Sequence, residues 1–336
     1  MKKGEPAAPA GLLLLNKKPG VTSFEALRPI KKALDTGKVG HTGTLDKFAG
    51  GLLLVLCGRA LKLSPWFFHC DKEYEGVVQF GEETDTLDPE GSIVAKAGIP
   101  SREAVERALP LFRGEIQQAP PAYSAIHIDG KRASALARAG KAPEMKKRPV
   151  RIYRLELLSW APPNARIGVH CSSGTYIRSL ARDIALAAGS RGRLAALLRT
   201  GIAGFRLDEA PDAGCGENGA AALLQSLRPI DRAVIRSLGL PWFDLKEESV
   251  KEIIQGKPLS QILARSPLNQ PDQAGESAFS QWPGAHQNPA RGKAAALFCG
   301  DVFAGIAETN AGAEEENNWR YGCVYASLED RVYAHP

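Results

Sequence analysis

The stretch GHTGTLDKFAGGLLLVLCG, residues 40–58, decides how the rest of the chain is read. Its second half, LLLVLCG, is an unbroken apolar run of strand length, as expected for a strand buried on both faces. Its first half is rich in glycine and hydroxyl side chains and delivers one carboxylate, Asp46, to the mouth of that run. A loop aspartate ordinarily forms a turn or caps a helix. At the lip of a core the same carboxylate is harder to account for, because burying its charge is costly. The loop is not a phosphate cradle. It lacks the GxxxxGK[ST] spacing, and no helix signal follows that could aim a dipole at an anion.

Outward from this stretch, strands and helices alternate without βαβ regularity. GLLLLNK predicts a short strand, and PG a turn. A helix follows, capped by Thr22 or Ser23, with Phe24, Leu27, Ile30 and Leu34 at helical spacing. RALKLSPWFFHCD is expected to be helical in part, with Pro65 arguing against a long helix. KEYEGVVQF alternates and puts Tyr74, Val78 and Phe80 on one strand face. GEETDTLDPEGSIV is turn-rich, and SREAVERALPLF is an amphipathic helix opening at Ser101. RIGVHCSSGTYIRSLARDIALAAG predicts a strand, a small-residue turn, and a helix with Ile177, Leu180, Ile184 and Ala188 inward. The expected class is α+β around a mixed sheet.

Composition sets the outer bounds. The 336 residues are 44% hydrophobic and 24% charged, ordinary values for a globular chain with room for a large domain and a smaller one. Six scattered cysteines without CxxC spacing fit reduced thiols better than a disulfide framework or a zinc site. LLLL at 12–15 is too short to span a bilayer and is followed by lysines, so a cytoplasmic protein with no membrane contact is expected. Net charge is +6, but residues 129–154 alone hold nine Lys/Arg against Asp129 and Glu144. All of the chain's excess positive charge therefore falls in one short stretch. A charge run is usually a solvated face; this concentration points to a polyanion, above all nucleic acid.

Taken singly, the remaining candidates have ordinary explanations. His41 suits a hydrogen-bonded structural histidine, Tyr74 plain packing, and Arg178 a surface position after a glycine turn. Together they resemble the stand-alone tRNA pseudouridine-55 synthases, the TruB family. GHTGTLD at 40–46 matches that family's Gly-His-Thr-Gly-x-Leu-Asp loop, and Lys72-Glu73-Tyr74 its Lys-x-Tyr strand. GEETDTLDPEG at 81–91, CSSGTYIRSLARDIA at 171–185, LLRTGIAGF at 197–205 and LLLLNKKPGVTS at 12–23 resemble its other motifs, in family order. The resemblance runs from about Gly11 to Asp231. Three positions depart from it: Lys18 stands for a proline (Pro19 follows), Leu198 for an arginine, and His127 for a lysine after YSA.

The resemblance implies a pseudouridine synthase domain over 1–239, with a basic, RNA-clamping thumb insertion at about 127–154. It also implies a small β-rich PUA-like RNA-binding domain over 240–336. The Pro/Gln/Ser-rich stretch 264–293 and the acidic 314–316 match nothing in the family, and 264–293 is expected to be a disordered insertion. Asp46 takes the place of the catalytic aspartate, Tyr74 of the tyrosine that stacks on the everted base, and Arg178 of the arginine that keeps the aspartate ionised. A neighbouring arginine lowers a carboxyl by about 1–3 pKa units. His41 matches the residue that fills the space left by the flipped base, Tyr176 and Leu197 match pocket residues, and Lys17 matches the family's N-terminal lysine and is expected to contact the RNA. Lys131, Arg132, Lys146, Lys147 and Arg148 belong to the thumb.

Pseudouridine formation breaks the C1′–N1 bond, turns the base and rejoins it through C5. No electron is transferred, so neither cofactor nor metal is expected. The carboxylate attacks C6 or C1′, or removes a sugar proton. The expected partner is the T arm of tRNA, whose buried uridine must be flipped out, with no obligatory protein partner. Three other readings fit less well. The guide-RNA-dependent subunit of H/ACA particles lacks the basic insertion. A non-catalytic RNA chaperone would not need Asp46, Tyr74 and Arg178 together. A metal hydrolase would need further acids or histidines near Asp46.

Overall fold

The computed structural model describes residues 9–128, 130–141, 144–211, 223–270, 293–309 and 319–325. Its centre is a nine-stranded sheet. The main path runs Gly11–Lys17, Gly50–Cys57, Gly192–Ile202, Lys72–Phe80, Asn164–Cys171, Arg148–Ala161 and Gly114–Gln118. Val39–His41 pairs with Gly50–Cys57, and Phe205–Arg206 with Gly192–Ile202. The sheet is mixed because Leu198 and Arg199 run parallel to Gly50 and Gly51, while the other pairings are antiparallel. The apolar run of the opening stretch becomes the strand Gly50–Cys57, buried at every position. Gly51 has φ +103, and a Cβ there would lie 2.3 Å from the Arg199 carbonyl oxygen. Only glycine lets the two backbones approach that closely at the point where the Asp46 loop enters the sheet.

Helix Ile177–Ala187 packs on one face of this sheet. Ile177, Leu180 and Ile184 are buried there among Val78, Phe80, Ile167, Val169 and Leu194, as the spacing predicted. Ser101 caps the helix Arg102–Ala108, its side chain accepting the Ala104 N–H. Pro65 sits in the first turn of Ser64–Phe68, where its missing N–H is no loss. A second sheet of five strands orders Leu268–Asn269, Trp242–Asp244, Ala294–Cys299, Val302–Thr309 and Trp319–Val324. It shares an apolar cluster with the first: Leu12, Leu54, Phe67 and Phe205 pack with Trp242, Phe298, Phe303 and Tyr325. Among the described residues no helix is long and apolar enough to cross a membrane.

Three expectations change. The helix foreseen after Thr22 divides into Ser23–Ala26 and Arg28–Ala33 around the turn at Leu27, and Phe24 is 60% exposed rather than core. Gly40 and His41 are the end of a strand, not part of the loop, because their partners Leu56 and Val55 already offer a ladder. The expectation of disorder over 264–293 is corrected at both ends of that stretch. Leu268–Asn269 pairs with Trp242 and Phe243, and Lys293 donates its backbone N–H to Thr309 Oγ1. Residues 271–292 and 314–316 lie outside the described residues.

Candidate active site

The loop carrying Asp46 is pinned on both sides. Ser23, 2% exposed, accepts the Leu45 N–H at 2.9 Å and donates its hydroxyl to the Leu45 carbonyl at 3.1 Å. Beyond Asp46, the Lys47 carbonyl accepts the Gly20 N–H at 2.8 Å. Lys17 completes this clasp. Its ammonium donates to the carbonyls of Val21 at 2.7 Å and Ala49 at 2.6 Å, and to those of Lys18 and Lys47 at longer range. The residue is 1% exposed, so the RNA contact expected of Lys17 is corrected: its charge is spent on the protein's own backbone. Burial, with Arg199 nearby, pulls its pKa down to about 8.

Arg178 comes to Asp46 from the first turn of its helix. Nε lies 2.9 Å from Oδ2 as an ion-pair contact off the hydrogen-bonding axis, and Nη2 donates to Oδ1 at 3.2 Å. The residue is itself 5% exposed, and both Nη nitrogens are engaged. Nη1 donates to the Thr86 carbonyl at 2.8 Å and to Asp88 Oδ2 at 3.2 Å, and Nη2 also reaches the Tyr123 carbonyl at 3.0 Å. Asp88 is held in turn by the Thr86 hydroxyl and the Glu90 N–H on Oδ1. Arg178 thus bridges two carboxylates, a partly exposed one (Asp46) and a buried one (Asp88). The expected net lowering of the Asp46 pKa is not what this geometry produces. Burial in the cleft is the largest influence and pushes the carboxyl above its ordinary value; Arg178 pulls it back, and Asp88 adds to the push.

Tyr74 lies on Lys72–Phe80 with its ring against the core under the helix. Burial raises the pKa of its phenol, against the pull of the Arg199 charge. Arg199, directly across the ladder from Tyr74, is 1% exposed. Its Nε donates to the Leu52 carbonyl at 2.7 Å and its Nη2 to the Gly43 carbonyl at 3.2 Å. One buried guanidinium, across the ladder from Tyr74, therefore ties the Asp46 loop to the strand behind it. Leu197, 9% exposed, packs in the same cluster as Tyr74. His41 is half-buried, its Nδ1 has no partner among the described residues, and burial with the charges of Arg199 and Lys31 lowers its pKa and favours neutral imidazole.

The thumb residues separate into two groups. Lys131, Arg132, Lys146 and Lys147 are exposed. Arg148 instead turns toward the site, its guanidinium 5.1 Å from the centre of the Tyr176 ring and its Nη2 3.1 Å from the Gly174 carbonyl. Asp88 and Arg199 fall inside two of the family-like motifs but had no role assigned from sequence. An acid in a turn and an arginine on a strand carry no signal of burial until the partners are seen.

The deep carboxylate–arginine pair sits on a fold shared with Cbf5. The crystal structure of a Cbf5–Nop10–Gar1 complex matches with a TM-score of 0.68 at 21% identity, covering 95% of this chain and 86% of that one. The archaeal box H/ACA sRNP Nop10–Cbf5 complex matches at 0.63 and 20%, covering 95% and 87%. A family model described as TruB family pseudouridylate synthase (N terminal domain) matches residues 31–177. The tRNA pseudouridine synthase B of Borreliella burgdorferi (strain ZS7) is 46% identical over 230 residues, 68% of this chain and 82% of that protein. The protein of the same name from Azoarcus sp. (strain BH72) is 38% identical over 305 residues, 90% and 92%. Fold and sequence together define the class as pseudouridine synthase. The chain belongs to the TruB family.

Proposed function

We infer that this protein isomerises the T-loop uridine at position 55 of tRNA to pseudouridine, with Asp46, Tyr74 and Arg178 as its catalytic residues. The observation that carries the reading is the Asp46–Arg178 pair, which fixes a carboxylate in place while leaving its side chain 38% exposed. In the reaction the C1′–N1 bond breaks, the base turns, C5 joins C1′, and the hydrogen of C5 leaves as a proton while N1 gains one. Asp46 acts ionised on the nucleoside. Arg178 favours that ionised form against the burial that opposes it. The Tyr74 ring supplies a flat surface for the everted base, and its hydroxyl takes part in moving the C5 proton.

The exposed cations of the insertion support RNA clamping by this chain itself, without guide RNA or an obligatory protein partner. We read 1–239 as the catalytic domain and the second sheet as a PUA-like RNA-binding module, and place the enzyme in the cytoplasm with its tRNA substrate. The test is incubation with an unmodified tRNA transcript followed by mapping of pseudouridine. Conversion at the T-loop uridine is expected; a transcript left unmodified by folded protein overturns the reading.

A further inference from the structure

The basic insertion leaves the sheet after Gly114–Gln118 and returns on Arg148–Ala161, and these two strands pair with Gln118 opposite Arg148. Both residues then reach the short segment that opens helix Ile177–Ala187. Gln118 is 1% exposed. Its side-chain oxygen accepts the Tyr176 N–H at 2.8 Å, and its side-chain nitrogen donates to the Tyr176 carbonyl at 3.1 Å. The carboxamide thus makes the two bonds that a neighbouring strand would have made. One residue on, the Ala119 carbonyl accepts the Ser179 hydroxyl at 2.8 Å. Further along, the Tyr123 carbonyl accepts Arg178 Nη2. On the return strand Arg148 covers the Tyr176 ring and donates to Gly174.

This helix needs outside help at its start. Its N-cap residue is Tyr176, whose side chain makes no capping hydrogen bond, and Arg178 follows two residues later. Where Arg178 points therefore depends on contacts from elsewhere in the chain: Thr86 and Asp88 hold its Nη1, and the two roots of the insertion add contacts at residues 174, 176, 178 and 179. Gln118 itself is sealed from solvent and has both polar ends satisfied by a single residue's backbone.

We propose that Gln118 is a positioning residue for the isomerisation. It fixes the Tyr176 backbone and so aims the Arg178 guanidinium at Asp46, tying that geometry to the roots of the RNA-clamping insertion. The proposal rests on the roles given to Asp46 and Arg178 above.

The test is Gln118→Met, which keeps length and volume and removes both hydrogen bonds. Two readouts are taken. At saturating T-arm RNA the single-turnover rate is expected to fall by about 10- to 100-fold, as for a misplacement of up to about 1 Å, with RNA affinity little changed. Independently of turnover, the Asp46 carboxyl is titrated by carbon NMR. The charged or titratable groups acting on it are Arg178, Asp88 and Lys17, and its own charge acts on Tyr74. Loosening Arg178 alone is expected to move the midpoint upward by about 1 unit. A folded Gln118→Met protein with the wild-type midpoint overturns the proposal, whatever its turnover. Wild-type protein inactive on RNA would instead count against the functional reading, and the titration would still decide this one. If Gln118→Met does not fold, Gln118→Asn, which keeps the amide but shortens its reach, takes its place with the same criterion.

Discussion

Replacing Lys131, Arg132, Lys146 and Lys147 together with glutamine tests whether the insertion grips RNA. All four are exposed and make no ion pair among the described residues. Two other cations of the stretch are less available. Arg154 is held by Glu73 at 3.3 Å, and Arg148 lies on the Tyr176 ring. Each lost phosphate contact lowers the slope of log K against log salt by about 0.7–0.9. Four contacts therefore set a ceiling of about 3 units, and any side chain that misses a phosphate reduces it. Affinity should fall most at low salt, where counterion release contributes most. The single-turnover rate at saturating RNA should change little, because these side chains do not reach Asp46 or Arg178. Arg148→Gln alone is expected to do the reverse, slowing turnover more than it weakens binding. The assay is a salt titration of tRNA binding beside single-turnover kinetics. An unchanged salt slope in the fourfold variant would mean that the stretch is only a solvated face.

Tyr74→Phe keeps the ring and its packing but removes the hydroxyl, so RNA binding should persist while single-turnover conversion drops about 100-fold or more; near-normal turnover would exclude the hydroxyl. Lys17→Met strips the ammonium from the carbonyls of Val21 and Ala49 and should lower stability by about 2–3 kcal/mol, read by denaturant unfolding. An unchanged midpoint would show that the clasp contributes nothing. Asp71 is 3% exposed and burial raises its pKa to about 6, so the folded chain holds a proton that the unfolded chain has released. Its contribution is therefore greatest below the unfolded value of 3.8 and is lost as pH rises through about 6. Asp71→Asn should stabilise the protein at pH 7.5 by up to roughly 3 kcal/mol and flatten the loss between those values, as measured by unfolding across pH.

What could be read from the sequence followed from local pattern. The strand Gly50–Cys57 announced itself because a strand with no wet face carries no polar residue. Helix Ile177–Ala187 did so because one of its faces must be apolar. Asp46 and Arg178 lie 132 positions apart, and only motif order suggested that they meet. Gln118, Asp88 and Arg199 act through one or two long-range hydrogen bonds each, which leave no periodicity. Lys17 shows the limit from the other side. Beside Lys18 in NKKPG it is one of two similar cations, and only the fold reveals that its charge faces inward onto carbonyls. The strand Leu268–Asn269 was hidden because its order comes from Trp242 and Phe243, 25 residues earlier, and not from its own composition.

Asp46→Asn is the variant that addresses the central claim. The amide is nearly the same size and keeps an oxygen for Arg178, but it can neither carry the charge nor act as the nucleophile or base. Wild type and variant are expressed without any host pseudouridine synthase and given excess unmodified tRNA transcript, and pseudouridine is mapped along the RNA. The account predicts T-loop conversion by wild type, none by Asp46→Asn, and RNA binding by both. Pseudouridine formed by the purified Asp46→Asn protein would contradict it.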